Sequence, residues 1–327
     1  MEWKGRQMRQ LGKTAVVAAS LVLAATTASA DEFIRMVSGP AGGSWYPLSA
    51  KISEVLGKQV PGIATSSGPG GGVGNLLDVN KREAEIGWSY AHTSYNGFSG
   101  KGKFNKAQDN IRHLATLYPA AVQTAVPRDS GIKSYADLQG RNISPGLAKW
   151  SGYAAAELLL GYYGITMDGI KSAGGTVHHV SYSDSVGLMK DGHIDAFIAM
   201  TSVPQASLID LNFNPGVRFL GVEPEIMSKF MTDNPGYIKT VIPTTAYENM
   251  DADVPTLGVV TILVVNKDVP EDIVYNITKT LWDNHGEFVK VKKVWNDVKL
   301  ENALLGAAVP VHPGAQRYYD EQGVQKK

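Results

Sequence analysis

The chain has 327 residues, 43% of them hydrophobic, and its 31 Lys and Arg balance 31 Asp and Glu; a chain of that length more often buries its core in two lobes than in one. Cysteine is absent, which excludes a disulfide framework, a thiol nucleophile, thiolate zinc sites and lipid attachment through an N-terminal cysteine. A balanced charge offers no phosphate-neutralising surface, so a nucleic-acid partner is set aside.

The first thirty residues combine a basic start (Lys4, Arg6, Arg9, Lys13), an apolar run from Thr14 to Ala25 and an Ala28-Ser29-Ala30 end. That pattern predicts a cleavable export signal over residues 1–30. The run is short for a permanent span, which needs about 20 apolar residues. The mature chain then starts near Asp31 and carries 27 basic against 30 acidic residues, a net charge of −3.

Beyond that point short apolar strands alternate with helix-like segments, which predicts an α/β architecture. The first unit is a strand at Phe33–Val37, a glycine turn, and a helix opened by Pro47 with Leu48, Ile52, Val55 and Leu56 at helical spacing. A second unit has a strand from Ile63 to Ser66, the loop from Gly68 to Gly74, a helix from Asn75 toward Arg82 and a strand from Glu85 to Ser89. Strands at Ile111–Tyr118 and Val122–Val126 lead to Pro127, where the chain is expected to change lobe. Ser134 and Asp137 have capping-box spacing. The second lobe is predicted from a strand at Asn142–Ser144, a helix at Ser151–Tyr163, a strand at Val177–Ser181, a helix around Val186–Lys190, and strands at Ala196–Met200 and Val217–Val222. Tyr237–Pro243, the apolar strand Val259–Val265 and a long helix from Pro270 are expected to return to the first lobe. The predicted division is therefore 31–123 with 236–327 as one lobe and 124–235 as the other.

In open α/β sheets ligands bind beyond the carboxyl ends of strands, where loops run into helix N-termini. The loop Ala41-Gly42-Gly43-Ser44-Trp45-Tyr46 fits that position, offering backbone amides and the Ser44 hydroxyl, with Trp45 or Tyr46 as an apolar wall. The loop Gly68–Gly74 lacks the Gly-Lys-Ser/Thr ending of a phosphate-binding loop; Asn75 after it either caps a helix or reaches the ligand. Gly87–Thr93 places Trp88 and Tyr90 at a strand end, rings that suit a small pocket and a core alike. Lys149-Trp150-Ser151-Gly152-Tyr153 opens another helix and sets N–H groups against a carboxylate. His178 and His179 fall in a predicted strand, so their rings point to opposite faces and cannot share an ion. With no nucleophile elbow and no metalloprotease helix, the sequence predicts a binding protein with no cofactor, no metal and no catalytic residue.

In this order the motifs are similar to those of the TAXI solute receptors, which serve tripartite ATP-independent periplasmic (TRAP) transporters. The carriers are Gly42–Leu48, Gly72–Leu76, Glu85–Ser89, Tyr95-Asn96-Gly97, Ile132–Gly140, Ser151-Gly152-Tyr153, Asp191–Ala196, Val203-Pro204 and Val254–Val259. The resemblance implies a two-lobed periplasmic binding protein of type II topology, closing around its ligand in the cleft between lobes, and TRAP permease subunits as the membrane partner. It implies a small organic acid or amino acid as ligand, of the kind of glutamate, glutamine or 2-oxoglutarate. Carried over by motif, it makes Gly43, Ser44, Trp45, Tyr46, Asn75, Trp88, Ser151, Gly152, Tyr153, Thr201 and Pro204 the expected cleft lining. The tryptophans at 45, 88 and 150 are bulkier than that pattern. Such rings also suit a sugar, an apolar group or a cation, for a different transporter or a sensor kinase; a secreted enzyme is the remaining alternative.

Overall fold

The computed structural model describes residues 32–325; the predicted export signal and Asp31 lie outside them. The chain opens as alternating units: β1 (Glu32–Val37), α1 (Trp45–Gln59), β2 (Ile63–Gly68), α2 (Gly72–Asn80), β3 (Ile86–Tyr90) and α3 (Ala91–Phe98). On β1, Ile34 and Met36 face inward while Phe33 and Arg35 face out, the period-two alternation of a strand with one buried face. On α1, Leu48, Ile52, Val55 and Leu56 are all buried, so the helical spacing seen in the sequence is the packed face. Both α1 and α2 begin earlier than predicted, at Trp45 and Gly72 rather than at Pro47 and Asn75. Their first turns are made of residues that read as loop.

A long strand, β4 (Ile111–Pro127), follows without a break at Pro119, where the pairing shifts register. After it come β5 (Ile143–Ser144), α4 (Ser151–Gly161), α5 (Met167–Ser172), α6 (Tyr182–Lys190), β6 (Ala196–Thr201), α7 (Ala206–Phe213), β7 (Val217–Phe219) and α8 (Pro224–Asp233). The chain ends through β8 (Ile238–Ile242), β9 (Val254–Asn266), α9 (Glu271–Asp283), α10 (His285–Val291) and α11 (Pro313–Glu321). Among the described residues no helix is long and apolar enough to cross a membrane.

The predicted strand at Val177–Ser181 is not one: Val177 makes a single bridge to Ile143. Beyond His178, whose N–H donates to the Ile143 carbonyl at 2.8 Å, the chain turns away because Ser181 caps α6 in a capping box with Asp184. The alternation argument for His178 and His179 therefore does not apply. The capping box predicted at Ser134 and Asp137 is present and opens a single 3₁₀ turn.

Strand order is β2-β1-β3-β9-β4-β6-β5, with β7 on β4 and β8 on β9. β1 is parallel to β2 and β3, whereas β9 is antiparallel to β3 and β4. Two strands run through both halves of this sheet. β4 pairs with β9 over Ile111–Ala121 and with β6 over Ala121–Ala125; β9 pairs with β8 over Val254–Gly258 and with β3 over Thr261–Val265. The fold is thus a mixed α/β sheet of two wings, in the type II binding-protein arrangement. Trp88, Trp295, Tyr118 and Phe288 fill the core beneath the first wing, and Phe197, Leu208, Tyr182 and Phe219 pack the second. Ile242 and Tyr247 join that second cluster, so the stretch after residue 236 still packs beside 124–235 before β9 carries the chain back.

Candidate functional site

Because β1, β2 and β3 are parallel, their carboxyl ends lie on one edge, and the helices that follow start there. α1 begins after the glycine turn, α2 after Gly70 and Gly71, and α4 comes from the opposite wing after β5. None of these three helices has a side-chain cap on its first turn. The uncapped starts converge on one cavity. Pro40, Gly43, Ser44 and Trp45 line it from α1, Gly71 and Gly72 from α2, and Trp150, Ser151 and Gly152 from α4; Tyr90, Tyr182, Met200 and Thr201 complete it.

The two wings touch across this cavity through direct hydrogen bonds. Ser44 Oγ lies 3.1 Å from Thr201 Oγ1 and also meets Ser202 Oγ. The Tyr90 hydroxyl donates to the Met200 carbonyl at 2.8 Å. The Gly74 N–H donates to the Lys149 carbonyl at 2.9 Å. Ser207 Oγ donates to the Gly42 carbonyl at 3.2 Å, a carbonyl that the Gln205 side-chain amide also reaches. Thr93 Oγ1 donates to Ser151 Oγ at 3.1 Å. The arrangement is closed, and the cavity volume is about 20 Å3, room for about one water-sized group.

Closure depends on glycine. A Cβ on Gly71 would stand 1.7 Å from Trp150 Cδ1, and one on Gly72 2.1 Å from Ser151 Oγ. No carbon atom fits at either distance, so α2 and α4 meet this closely only because those side chains are absent.

The site contains no ionised side chain. Burial pushes the Tyr90 hydroxyl well above its usual value and the Tyr182 hydroxyl up to about 12, so both remain neutral donors. What the cavity presents is hydroxyls, the first turns of α1 and α4, the start of α2, whose Gly74 N–H is taken by the Lys149 carbonyl, and four aromatic rings, Trp45, Tyr90, Trp150 and Tyr182. Three helix N-termini aimed at one point make a positive field without a positive residue, which suits an anionic oxygen.

Of the eleven residues expected in the lining, Gly43, Ser44, Trp45, Ser151, Gly152 and Thr201 are brought together in the cavity. The other five are placed elsewhere. Asn75 is fully buried and braces the loops: its Oδ1 accepts from the Gly71 N–H at 2.8 Å, and its Nδ2 donates to the Ser38 and Trp88 carbonyls at 2.6 and 2.7 Å. Trp88 is core, packed behind Trp45 with ring centroids 5.8 Å apart and the rings tilted by 31°. Tyr46 is exposed on α1. Tyr153 packs against His179 and lies under the Lys103 ammonium at 5.3 Å. Pro204 follows a cis peptide bond from Val203, beyond the cavity wall. Tyr182 and Met200 were missed. Tyr182 carries no local signal, since it opens α6 and reaches the site through tertiary contacts in its own wing, edge-on to Trp150 at 5.5 Å and accepting from the Met200 N–H at 3.1 Å; Tyr90 and Trp150 lay inside motifs already singled out.

A model of the NMT1-like family matches residues 36–323. The chain belongs to the NMT1-like family. Among solved structures it is similar to the alkanesulfonate-binding protein SsuA from Xanthomonas axonopodis pv. citri bound to MOPS, at 12% identity and a TM-score of 0.46, covering 88% of this chain and 83% of that one. It is similar to a mutant of ArgBP from T. maritima, at 12% identity and a TM-score of 0.48, covering 81% and 95%. A third is the arginine-, lysine-, histidine-binding protein ArtJ from Geobacillus stearothermophilus, at 13% identity and a TM-score of 0.46, covering 81% and 95%. At these values no site residue is carried over from them.

Proposed function

We propose that this chain is a periplasmic solute-binding receptor that captures a small organic acid or amino acid by its carboxylate and hands it to a TRAP permease. The observation that carries the reading is the convergence of three uncapped helix starts on a cavity without ionised side chains. A carboxylate matches that field and those donors, whereas a cation would meet no carboxylate there and a phosphoryl-transfer or hydrolytic reaction would find no acid, base or nucleophile placed for it.

In this reading residues 31–123 and 236–327 form one lobe and 124–235 the other. The solute binds to one lobe in the open state and supplies the contacts that favour closure. A ligand shifts such an equilibrium only by its differential affinity for the two states, and the cross-wing bonds at Ser44, Tyr90 and Thr93 belong to the closed state alone. Delivery to a TRAP permease, after export to the periplasm, is supported by the ordered TAXI-like motifs.

The test is a thermal-shift and calorimetric screen of the purified protein against amino acids, oxo acids, dicarboxylates, sugars and polyamines. An acid at a hundred times its dissociation constant should stabilise the protein by about 2.7 kcal/mol and be recovered unchanged. Selective stabilisation by a sugar or a cation would refute the carboxylate reading, and consumption of the ligand would refute the receptor reading.

A further inference from the structure

Between α3 and β4 the chain of the first wing forms a strap rich in glycine and lysine, Ser99-Gly100-Lys101-Gly102-Lys103-Phe104. Gly100 and Gly102 have φ of +65° and +62°, the left-handed region that favours glycine. The Lys101 N–H donates to the Asn96 carbonyl at 2.8 Å and the Phe104 N–H to the Lys101 carbonyl at 3.2 Å, which folds the strap into successive tight turns. Phe104 then anchors it, buried in one cluster with Val73 and Leu76 of α2. Lys103 therefore stands on a backbone fixed on both sides, by a left-handed glycine before it and a buried ring after it.

Its side chain reaches the other wing. The Lys103 ammonium pairs with the Glu157 carboxylate and lies over the face of the Tyr153 ring, 5.3 Å from its centroid. Tyr153 and Glu157 both belong to α4 and are four residues apart, so they stand on one face of that helix. His179 packs against the Tyr153 ring at 5.4 Å. Strap, α4 and His92 border one pocket of about 630 Å3, which Lys101 and Asp233 also line. Among the described residues neither of those two makes an ion pair with Lys103 or Glu157. The contacts between wings at Ser44, Tyr90 and Thr93 join neutral groups; the contact at Lys103 joins opposite charges.

We propose that Lys103 is a latch: a cation on the first wing, clasped by the Tyr153 ring and the Glu157 carboxylate of the second, that gives the protein a closed population before any solute binds. This rests on the reading of the chain as a receptor that opens and closes. The clasp exists only when strap and α4 meet, so its free energy adds to the closed state alone. Being partly exposed, it is weakened by salt, and closure acquires an ionic-strength dependence that the neutral hydrogen bonds do not give it.

The absence of cysteine allows a direct test on the full chain without added solute. Lys58→Cys on α1 and Asp168→Cys on α5, both exposed, carry one spin label on each wing, and pulsed electron resonance reads the distances between them. At low salt the unsubstituted latch should give a short, closed distance beside a long, open one. Lys103→Met, which keeps the stem and removes the charge, should lower the closed-to-open ratio about three- to tenfold. Glu157→Gln should lower it in the same direction, adding nothing once Lys103 is Met, and Lys103→Arg should retain most of it. Raising salt to about 0.5 M should lower the ratio with the latch intact and leave Lys103→Met unchanged. A long distance alone, or two distances whose ratio ignores salt and both charge-removing variants, overturns the latch and leaves the receptor reading standing. A short distance alone, under every condition and in every variant, means that the wings do not open, and overturns both.

Discussion

At the scale of single residues, the backbone of Gly71 is extended, with φ −179° and ψ 134°, a conformation open to any residue. Gly71→Ala should therefore fold normally and fail only at closure, where its Cβ would meet the Trp150 indole at 1.7 Å. Overpacking of this kind costs about 1–3 kcal/mol, roughly a five- to hundredfold loss of ligand affinity, while the ligand-free melting temperature stays near that of the wild type. An affinity equal to wild type would show that closure does not bring α2 and α4 together. Asn75 predicts the opposite signature. Asn75→Ala leaves the Ser38 and Trp88 carbonyls and the Gly71 N–H without their partner, and buried groups stranded in this way cost about 1–3 kcal/mol each at the upper end. Its chemical stability in urea should fall by about 2–4 kcal/mol, with the remaining folded protein still binding ligand. Sequence could not separate a brace from a ligand contact at Asn75, because the distinction is made by three backbone groups from β1, β3 and the loop before α2. It could not place Trp88 either, since the same ring serves a wall or a core and only its packing behind Trp45 decides.

At the scale of elements, strands and helices with a clear period were legible and their ends were not. The apolar spacing of α1 and the alternation of β1 located both, but Trp45 and Tyr46 read as loop because glycine and serine precede them. β4 read as two strands because Pro119 interrupts it; the register shift in its pairing with β9 absorbs the proline. The short helices α5, α7, α8 and α10 were not anticipated, since segments of this length are held by packing more than by their own propensity. These ends matter, because the starts of α1, α2 and α4 are the candidate site. If their dipoles hold the ligand, an acid should bind more tightly than its neutral amide by about 1–3 kcal/mol for three helix starts. Paired calorimetric titrations of an acid and its amide measure the difference directly. Equal affinities would mean that hydroxyls and aromatic walls, rather than helix starts, recognise the ligand.

For the whole molecule, the contacts that close the cleft are spread along its length, from Gly42 with Ser207 to Thr93 with Ser151. No local pattern announces them, because each joins residues far apart in sequence, as Tyr90 to Met200 and Ser44 to Thr201. His92 gives this closed architecture a pH dependence. Burial holds its imidazole neutral, with its pKa pushed down to about 3 from about 6.5 in the unfolded chain: Tyr90 stacks on one face and Tyr237 lies against the ring, and the charged groups lining the same pocket, Lys101 and Lys103 with Glu157 and Asp233, are of both signs. The folded state therefore binds fewer protons than the unfolded state below about pH 6.5. Its contribution to stability is complete above that value and is lost progressively as the pH falls toward the folded value. The slope approaches about 1.4 kcal/mol per pH unit. His312, also held low by burial, adds to the same trend, so the diagnostic is the difference between proteins. Urea unfolding of wild type and His92→Gln between about pH 7 and pH 5 should give curves that converge as the pH falls, the variant losing less stability over the interval. Parallel curves would mean that His92 takes up its proton in the folded protein without penalty, and that burial does not hold the ring neutral.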